Sequence, residues 1–212
     1  RTVCGSAPSC RSRSRVPSWT GPCASSPRRR RRRALCCGCC RRANPQTVRD
    51  QVVTFLVAGH ETVASGLAWS LYLLAQHPTE ASSADVFDEA LRLYPPAWLI
   101  TRQALGPDDV AGVEIPTNAL IIMSPYWLHR HPAAWDVPDE FRPGRPIPRT
   151  GYVPFGAGPR LCIGRGMSLV EAPIILDHLR ERYRFGIVRE VRMKPEVTIR
   201  PVGGMPLRVS RL

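Results

Sequence analysis

The longest apolar stretch of the chain covers residues 51–76 and is rich in aliphatic and aromatic residues. As a helix, this stretch would be about 39 Å long, enough to cross a domain or a bilayer. Its centre holds His60, Glu61 and Thr62, where an ionisable group would be costly in lipid. The pattern therefore predicts a long core helix whose polar interruption faces a functional site, and no transmembrane anchor.

A second helix is predicted from the segment DEALRLYPP, in which Glu89 and Arg92 lie three residues apart and so share one helical face. The tyrosine and the two prolines at its end should stop this helix. Short apolar runs broken by turn residues follow, and they predict small strands over residues 98–105, 110–115 and 119–124.

Charge and cysteine divide the chain into two parts. The whole chain has 30 basic and 17 acidic residues, yet residues 1–43 hold 12 of the arginines, no acidic residue and seven of the 8 cysteines. The large aliphatic residues of this segment are Val3, Val16 and Leu35. We therefore predict that residues 1–43 are disordered and form no secretory signal, and that the folded domain spans residues 44–212. With Cys162 as its one cysteine, this domain is not built on disulfides.

Three interpretations of the amino-terminal segment stay open. The run of arginines at residues 28–33 could bind phosphate backbones, although one aromatic residue, Trp19, and no nucleic-acid module accompany it. The sequence CCGCC at residues 36–40 could chelate a soft metal ion, but a structural zinc site needs a second ligand pair. The bias toward arginine, cysteine, serine and proline also fits translation of a GC-rich gene in a shifted reading frame.

The most specific pattern in the chain is PFGAGPRLCIGRGMSLVEA, which contains the motif F-G-x-G-x-R-x-C-x-G. Six fixed positions give a chance occurrence on the order of one in 10⁵. The glycines allow a tight hairpin, and the helix predicted after Cys162 directs its N-terminal amides toward the sulfur, which favours the thiolate form. The alternative is a buried structural cysteine in a glycine-rich turn.

Four stretches together resemble the cytochrome P-450 haem-thiolate monooxygenases of the soluble bacterial type. They are AGHET at residues 58–62, EALR at 89–92, FRPGRP at 141–146 and FGAGPRLCIG at 155–164. The resemblance covers residues 44–212 and corresponds to the carboxy-terminal half of the family's domain. It implies a mainly α fold with small β-sheets, a truncated P-450 fold made of the oxygen-binding helix, the E-x-x-R helix, the Cys-ligand loop and the following helix.

The resemblance implies a haem b cofactor with Cys162 as the axial thiolate ligand of its iron. Phe155 would pack beside the haem, and the backbone amides after Cys162, in the stretch that includes Gly164, would hydrogen-bond to the sulfur. Arg160 and Arg102 look like the partners of the two haem propionates.

The resemblance also implies a second wall of the site, on the oxygen-binding helix. Ala58 and Gly59 would leave room for dioxygen and substrate. Glu61 and Thr62 resemble the family's acid–alcohol pair, in which the threonine positions a water or bound dioxygen and the glutamate relays protons. The alternative for Thr62 is a hydrogen bond from its hydroxyl back to a carbonyl four residues earlier.

Residues Glu89, Arg92 and Arg145 look like the family's structural charge network, which would hold the cysteine side of the core without reacting. The segments expected to line an apolar substrate pocket contain Trp98, Leu99, Ile100, Gly204 and Met205. The sequence also departs from the family pattern at Gly144, at Pro173 in the last helix, and in the short connection over residues 79–88, which suggests a deletion.

The implied reaction is insertion of one oxygen atom of O₂ into a small apolar organic substrate. Electrons from NAD(P)H would arrive through a ferredoxin and its reductase or through a flavoprotein reductase, and the protein would be cytoplasmic. Two alternatives come from other classes: a non-catalytic haem-binding remnant of a damaged gene, and a basic nucleic-acid-binding protein with an incidental cysteine loop. We expect the chain to be a fragment of the family's domain.

Overall fold

Three long helices and four two-stranded antiparallel sheets make up residues 44–212, the part of the chain that this computed structural model describes. This confirms the predicted mainly helical fold with small sheets. The hypotheses about residues 1–43, including disorder and a shifted reading frame, lie outside the described residues.

The elements follow one another in this order. The helices are α1 (Pro45–Gln76), α2 (Ser83–Leu93), the short α3 (Pro125–Leu128) and α4 (Arg165–Arg180). The strands are β1 (Ile100–Gln103), β2 (Asp108–Val110), β3 (Val113–Ile115), β4 (Leu120–Met123), β5 (Tyr183–Ile187), β6 (Met193–Pro195), β7 (Ile199–Pro201) and β8 (Leu207–Arg211). The four sheets pair β1 with β4, β2 with β3, β5 with β8, and β6 with β7.

Helix α1 begins six residues earlier than the apolar pattern predicts. The Asn44 side chain caps it by accepting a hydrogen bond of 3.0 Å from the amide of Gln46, and Pro45 suits the first turn because its missing N–H has no helical partner there. The helix is long and apolar enough to cross a membrane by length and composition, and its most apolar window is largely exposed. Its carboxy-terminal part from Trp69 to Leu74 is nevertheless largely buried, as expected for a core helix.

The main core joins α1, α2 and α4. Its buried side chains are Leu74, Val86, Phe87, Leu91, Ala172 and Leu176. Gly66 lets α1 approach α2 closely, because a Cβ at this position would lie 2.9 Å from the Phe87 ring. The close contact brings α1 against Phe87, which also lines the candidate site.

A second core cluster ties α1 to the carboxy-terminal strands. The Trp69 ring stacks on Tyr94 with centroids 3.9 Å apart, and its indole N–H donates to the Ile199 carbonyl at 3.3 Å. The Ser65 hydroxyl donates to the same carbonyl at 2.9 Å. Strand β7 is thereby held along α1, next to Glu61.

The strand predictions were correct at two places and wrong at one. Strands β1 and β4 lie within the predicted runs and pair from Ile100 opposite Met123 to Gln103 opposite Leu120. The run predicted as one strand from residue 110 to 115 is instead a hairpin of β2 and β3. Its two-residue turn, Ala111 and Gly112, has φ angles of 51° and 83°, as a type I′ turn requires.

Helix α4 is continuous across Pro173. The proline cannot donate a hydrogen bond to the preceding turn, which usually kinks or breaks a helix. Here Ala172 and Leu176, on either side of it, are fully buried against α1 and α2. Tertiary packing therefore stabilises the helical conformation at Pro173, where local propensity disfavours it.

Candidate functional site

The loop that carries Cys162 is a tight hairpin followed by the start of α4. The Cys162 amide donates to the Phe155 carbonyl at 2.9 Å, and the Gly156 amide donates to the Val153 carbonyl at 3.0 Å. Gly156 and Gly158 have φ angles of 73° and 65°, which glycine adopts without steric cost. The loop thus needs glycine at the positions that the motif reserves for it.

The Cys162 side chain is exposed and lies close to the N-terminus of α4. Gly164 is the residue that precedes the helix, and a Cβ there would lie 3.8 Å from the Cys162 sulfur. Unpaired amides and the positive end of the dipole at a helix N-terminus stabilise a nearby negative charge. The exposed sulfur beside this helix end is therefore placed where it can serve as a ligand.

A cavity of about 650 Å³ separates the Cys162 loop from α1. Six predicted site residues line it: Ala58, Thr62, Arg102, Phe155, Arg160 and Cys162. The rest of its wall is mostly apolar and includes Val63, Phe87, Leu91, Pro96, Ala97 and Ile100. Its volume and its apolar walls with a few polar groups are typical of a small-molecule or cofactor site.

The predicted Glu61 and Thr62 pair is divided between two different surroundings. Thr62 lines the cavity, and its hydroxyl donates to the Ala58 carbonyl at 2.8 Å, which is the helical back-bond given above as the alternative. Glu61 does not line the cavity. Its carboxylate accepts hydrogen bonds from the Thr198 hydroxyl at 2.7 Å and from Arg200 Nε at 2.8 Å.

These bonds also fix the protonation of Glu61. The hydrogen bonds from Thr198 and Arg200, in that order, lower the pKa of the Glu61 carboxyl. A charged carboxylate joined to β7 is an anchor between α1 and the carboxy-terminal strands. The structure therefore does not bring Glu61 and Thr62 together at one point of the cavity.

The two predicted propionate partners both reach the cavity. Arg102 comes from β1, where it lies opposite Ile121, and donates from one terminal nitrogen to the Thr101 carbonyl at 2.8 Å. Arg160 ends the short 3₁₀ helix of the cysteine loop. Gly59 lies on α1 outside the cavity wall, and its small size meets no neighbour within 4 Å.

The predicted charge network forms around Glu89, whose carboxylate contacts both Arg92 and Arg145. Arg92 is fully buried and makes a bidentate pair with Glu89, with both N···O distances 2.8 Å. Arg145 Nε donates to the same carboxylate at 3.1 Å. Arg92 also donates to the backbone carbonyls of His129, Pro138 and Glu140. Burial lowers the pKa of the Arg145 guanidinium, and the Glu89 charge acts in the opposite direction.

Among the residues expected to line a substrate pocket, the structure places only Ile100 in the wall of this cavity. Trp98 and Met205 pack instead against the buried cluster around Trp69. The Trp98 indole also donates to the Glu196 carbonyl at 2.8 Å. Their apolar character therefore serves the core here, a role that sequence pattern alone does not distinguish from pocket lining.

Three residues around the charge network escaped the sequence analysis. Trp135 lies under the Arg92 guanidinium at 5.1 Å, and the Tyr152 hydroxyl donates to the Asp88 carbonyl at 2.9 Å. Burial is the largest of several effects that raise the pKa of Tyr152, so its phenol stays protonated. The third is His129, which is fully buried. Their partners are distant in sequence, so no local spacing marks them.

Comparison with known proteins identifies the family. The family model described as "Cytochrome P450" matches residues 41–82 and 84–205. Its break at residue 83 falls at the first residue of α2, directly after the short connection from α1.

Individual relatives agree with this match. The chain is 35% identical to "Cyclooctatin synthase" of Streptomyces melanosporofaciens over 77% of this chain and 42% of that protein. The crystal structure of CYP175A1 from Thermus thermophilus is 40% identical and superposes with a TM-score of 0.67, covering 74% of this chain and 44% of that one. The haem domain of cytochrome P450DA superposes with a TM-score of 0.73 at 31% identity, over 81% and 46%.

The chain spans less than half the length of these relatives. The match nevertheless covers most of residues 44–212 and includes the helix with the AGHET sequence, the E-x-x-R helix and the cysteine loop. The chain therefore belongs to the cytochrome P450 family.

Proposed function

We propose that this chain carries the haem-binding half of a haem-thiolate monooxygenase. The observation that supports the proposal most strongly is the cavity of about 650 Å³ with the Cys162 side chain in one wall and Ala58 and Thr62 of α1 in another. Glycine-rich hairpin geometry and the start of α4 hold the cysteine, and arginines from two separate elements reach the same cavity.

The residues present fit a haem b group. Cys162 is a single sulfur donor, which suits a metal whose other ligands come from a macrocycle. The apolar wall suits a flat hydrophobic ring, and Arg102 and Arg160 suit the two propionate carboxylates. When bound, the haem iron supplies the dioxygen chemistry of the reaction.

Each of the chain's own residues would then have a defined task. Cys162 would hold the iron and donate electron density, while Phe155 would pack against the ring and keep water from the sulfur. Ala58 would leave space on the α1 side for dioxygen and substrate, and Gly59, which has no side chain, would take up no further space in that part of the helix. The Thr62 oxygen, whose proton is donated to Ala58, would accept a hydrogen bond from a group in the cavity.

We propose separate roles for the charged residues. Glu61 would hold α1 against β7 and would relay protons only if its Arg200 contact opened. Glu89, Arg92 and Arg145 would keep α2 and the loop around residue 140 in place behind the cavity. Breaking a buried network of this kind by removing one member typically costs about 3–5 kcal/mol.

The substrate would be a small apolar organic molecule, because the cavity wall beyond the arginines is apolar. Electrons from NAD(P)H would arrive through a ferredoxin and its reductase or a flavoprotein reductase. The protein would act in the cytoplasm, as proposed for a soluble bacterial type. A non-catalytic haem-binding remnant is the second candidate function, because Glu61, the expected proton relay, does not line the cavity.

The ferrous carbon monoxide spectrum of the purified, haem-reconstituted chain tests the proposal. We expect the strongly red-shifted Soret band of thiolate ligation in the wild-type protein, and its loss in Cys162→Ala. Cys40→Ala, in the amino-terminal segment, is the matched control and should keep the band.

A spectrum that survives Cys162→Ala would refute the ligand assignment. Substrate-dependent NAD(P)H oxidation with a supplied reductase then separates the enzyme from the remnant.

A further inference from the structure

His129 is the one fully buried histidine among residues 44–212, and the proposed function above gives it no role. It follows α3 directly, and its ring lies 5.2 Å from the Tyr152 ring. The other four histidines, His60, His77, His131 and His178, are exposed. A buried imidazole needs partners for both nitrogens, and the structure supplies them.

The two ring nitrogens have partners that fix the tautomer. Nε2 lies 2.9 Å from the Val153 backbone nitrogen, which can only donate, so Nε2 must carry a lone pair. Nδ1 lies 3.2 Å from the Arg92 carbonyl oxygen, which can only accept, so Nδ1 must carry the proton. Burial, with the nearby Arg92 and Arg130 charges, lowers the pKa of His129 to about 4, which keeps this neutral form.

These bonds join two parts of the site that no helix or strand connects. Arg92 is near the end of α2, and its guanidinium returns a hydrogen bond of 3.0 Å to the His129 carbonyl. Val153 begins the cysteine hairpin, because its carbonyl accepts from the Gly156 amide. Phe155, two residues later, accepts from the Cys162 amide. A continuous path of hydrogen bonds and short backbone links therefore leads from α2 to the cysteine.

We propose that His129 is a positioning residue that fixes the Cys162 hairpin to α2 through its hydrogen bonds to Arg92 and Val153. This inference rests on the proposed function for its catalytic meaning, since the hairpin matters to the reaction only if Cys162 holds the haem iron. The restraint itself is a property of the polypeptide and can be measured without haem.

Two substitutions separate the two bonds. In His129→Asn, the amide nitrogen can replace Nδ1 as the donor to Arg92, but the side chain is too short to reach Val153. In His129→Gln, the amide oxygen can take the place of Nε2 and accept from the Val153 amide. The Arg92 guanidinium can still donate to the backbone carbonyl of residue 129, so the link to α2 remains without Nδ1. His178→Asn changes an exposed histidine on α4 and is the matched control.

The measurement is amide hydrogen exchange on the full chain without haem, made below micromolar concentration and read by mass spectrometry with fragmentation that resolves single amides. We expect His129→Asn to speed exchange at Val153, Gly156 and Cys162 by about tenfold relative to the core of α2. His129→Gln and His178→Asn should leave these amides near wild-type rates. If His129→Asn does not fold, the exchange rates of His129→Gln test the proposal by themselves. Wild-type rates at its hairpin amides would support the proposal, and faster exchange there would overturn it.

Other outcomes also overturn the proposal. Faster exchange at Val153 alone would mean that the restraint does not reach the cysteine, and a uniform rise across the chain would mean simple destabilisation. After haem reconstitution, we expect His129→Asn to lose part of the thiolate Soret band and His129→Gln to retain it. If wild-type protein shows no such band while the hairpin amides respond as expected, the proposed function fails and the positioning role stands.

Discussion

At the scale of single residues, the cavity wall on α1 offers one hydroxyl group, that of Thr62, with its proton already donated to the Ala58 carbonyl at 2.8 Å. A group bound in the cavity must therefore donate to Thr62, or displace the carbonyl to accept from it. The neighbouring Glu61 is engaged by Thr198 and Arg200 and presents no free proton. Thr62 is thus the residue on this wall whose substitution reports most directly on proton delivery.

We expect Thr62→Ala in the haem-loaded protein to keep its spectrum and to consume reductant, but to form less product per electron and more hydrogen peroxide. Loss of a positioned proton donor or acceptor typically costs about 10² in the productive rate. The quantity to measure is product formed per electron supplied. Thr54→Ala is the matched control, because the Thr54 hydroxyl makes the same bond to the Asp50 carbonyl at 2.7 Å on exposed helix. Equal coupling in both variants would show that Thr62 is structural.

His129 predicts a specific dependence of stability on pH. Its pKa is about 4 in the folded chain, whereas the ordinary value for a histidine is 6.5, so between these values the unfolded chain binds more protons. The free energy of unfolding therefore does not depend on His129 above about pH 6.5. As the pH falls from there toward 4, protonation of His129 in the unfolded chain lowers the free energy of unfolding, by about 3 kcal/mol at most. Burial raises the pKa of Asp88, which opposes this loss.

Urea unfolding of wild-type protein and His129→Gln at several pH values between 7 and 4 measures the contribution, since Asp88 and the other carboxylates are common to both. We expect the wild type to lose more stability than the variant across this window, so that the difference between the two proteins shrinks as the pH falls. A difference that stays constant with pH would mean that His129 takes up its proton as readily in the folded chain as in the unfolded one.

At the scale of elements, the close approach of α1 and α2 depends on a residue without a side chain. We expect Gly66→Ala to destabilise the fold, because its Cβ would lie 2.9 Å from Phe87, which is itself buried and cannot move freely. Overpacking of this kind typically costs about 1–3 kcal/mol, more than the gain of about 1 kcal/mol from replacing a helical glycine.

Gly59→Ala is the control for that prediction. It lies in the same helix, and a Cβ there meets nothing within 4 Å, so the propensity gain should appear as a stabilisation of up to about 1 kcal/mol. Chemical unfolding of both variants gives the comparison. Stabilisation by both variants would show that α1 and α2 pack too loosely for the Gly66 contact to matter.

The elements also show which features the sequence could predict. Helices α1, α2 and α4 were predicted because apolar periodicity, an i, i+3 charge pair and a glycine-rich cysteine motif are local signals. The β2–β3 hairpin was missed because Ala111 gives no turn signal of its own, although Gly112 follows it. The pairing of Glu61 with Arg200 and the two bonds of His129 join residues far apart in the chain. Only tertiary structure determines such contacts, so the site residues could be named while their partners could not.

At the scale of the whole molecule, residues 44–212 expose apolar surface on two helices. One surface is on the first half of α1, where Phe55, Leu56 and Val57 are 55%, 66% and 62% exposed. This surface does not extend to the end of the helix, because α1 from Trp69 to Leu74 packs in the core. The second surface lies on α4, where the side chains at helical spacing are Met167, Val170 and Ile174, at 70%, 62% and 62% exposed.

Contiguous exposed apolar surface of this kind favours self-association, so we expect the purified chain to aggregate or to form oligomers at micromolar concentration. Replacing Met167, Val170 and Ile174 together by glutamine should raise the monomer fraction severalfold. The buried residues Ala172 and Leu176 hold the other side of α4, so cooperative unfolding should persist in this variant. Size-exclusion chromatography with light scattering measures the monomer fraction. The matched control replaces Val110 and Val113 of the β2–β3 hairpin by glutamine. These two side chains are exposed to a similar degree, but together they form a smaller apolar surface than the three on α4. A wild-type chain that is monodisperse and unfolds cooperatively would show that these two helical faces do not associate.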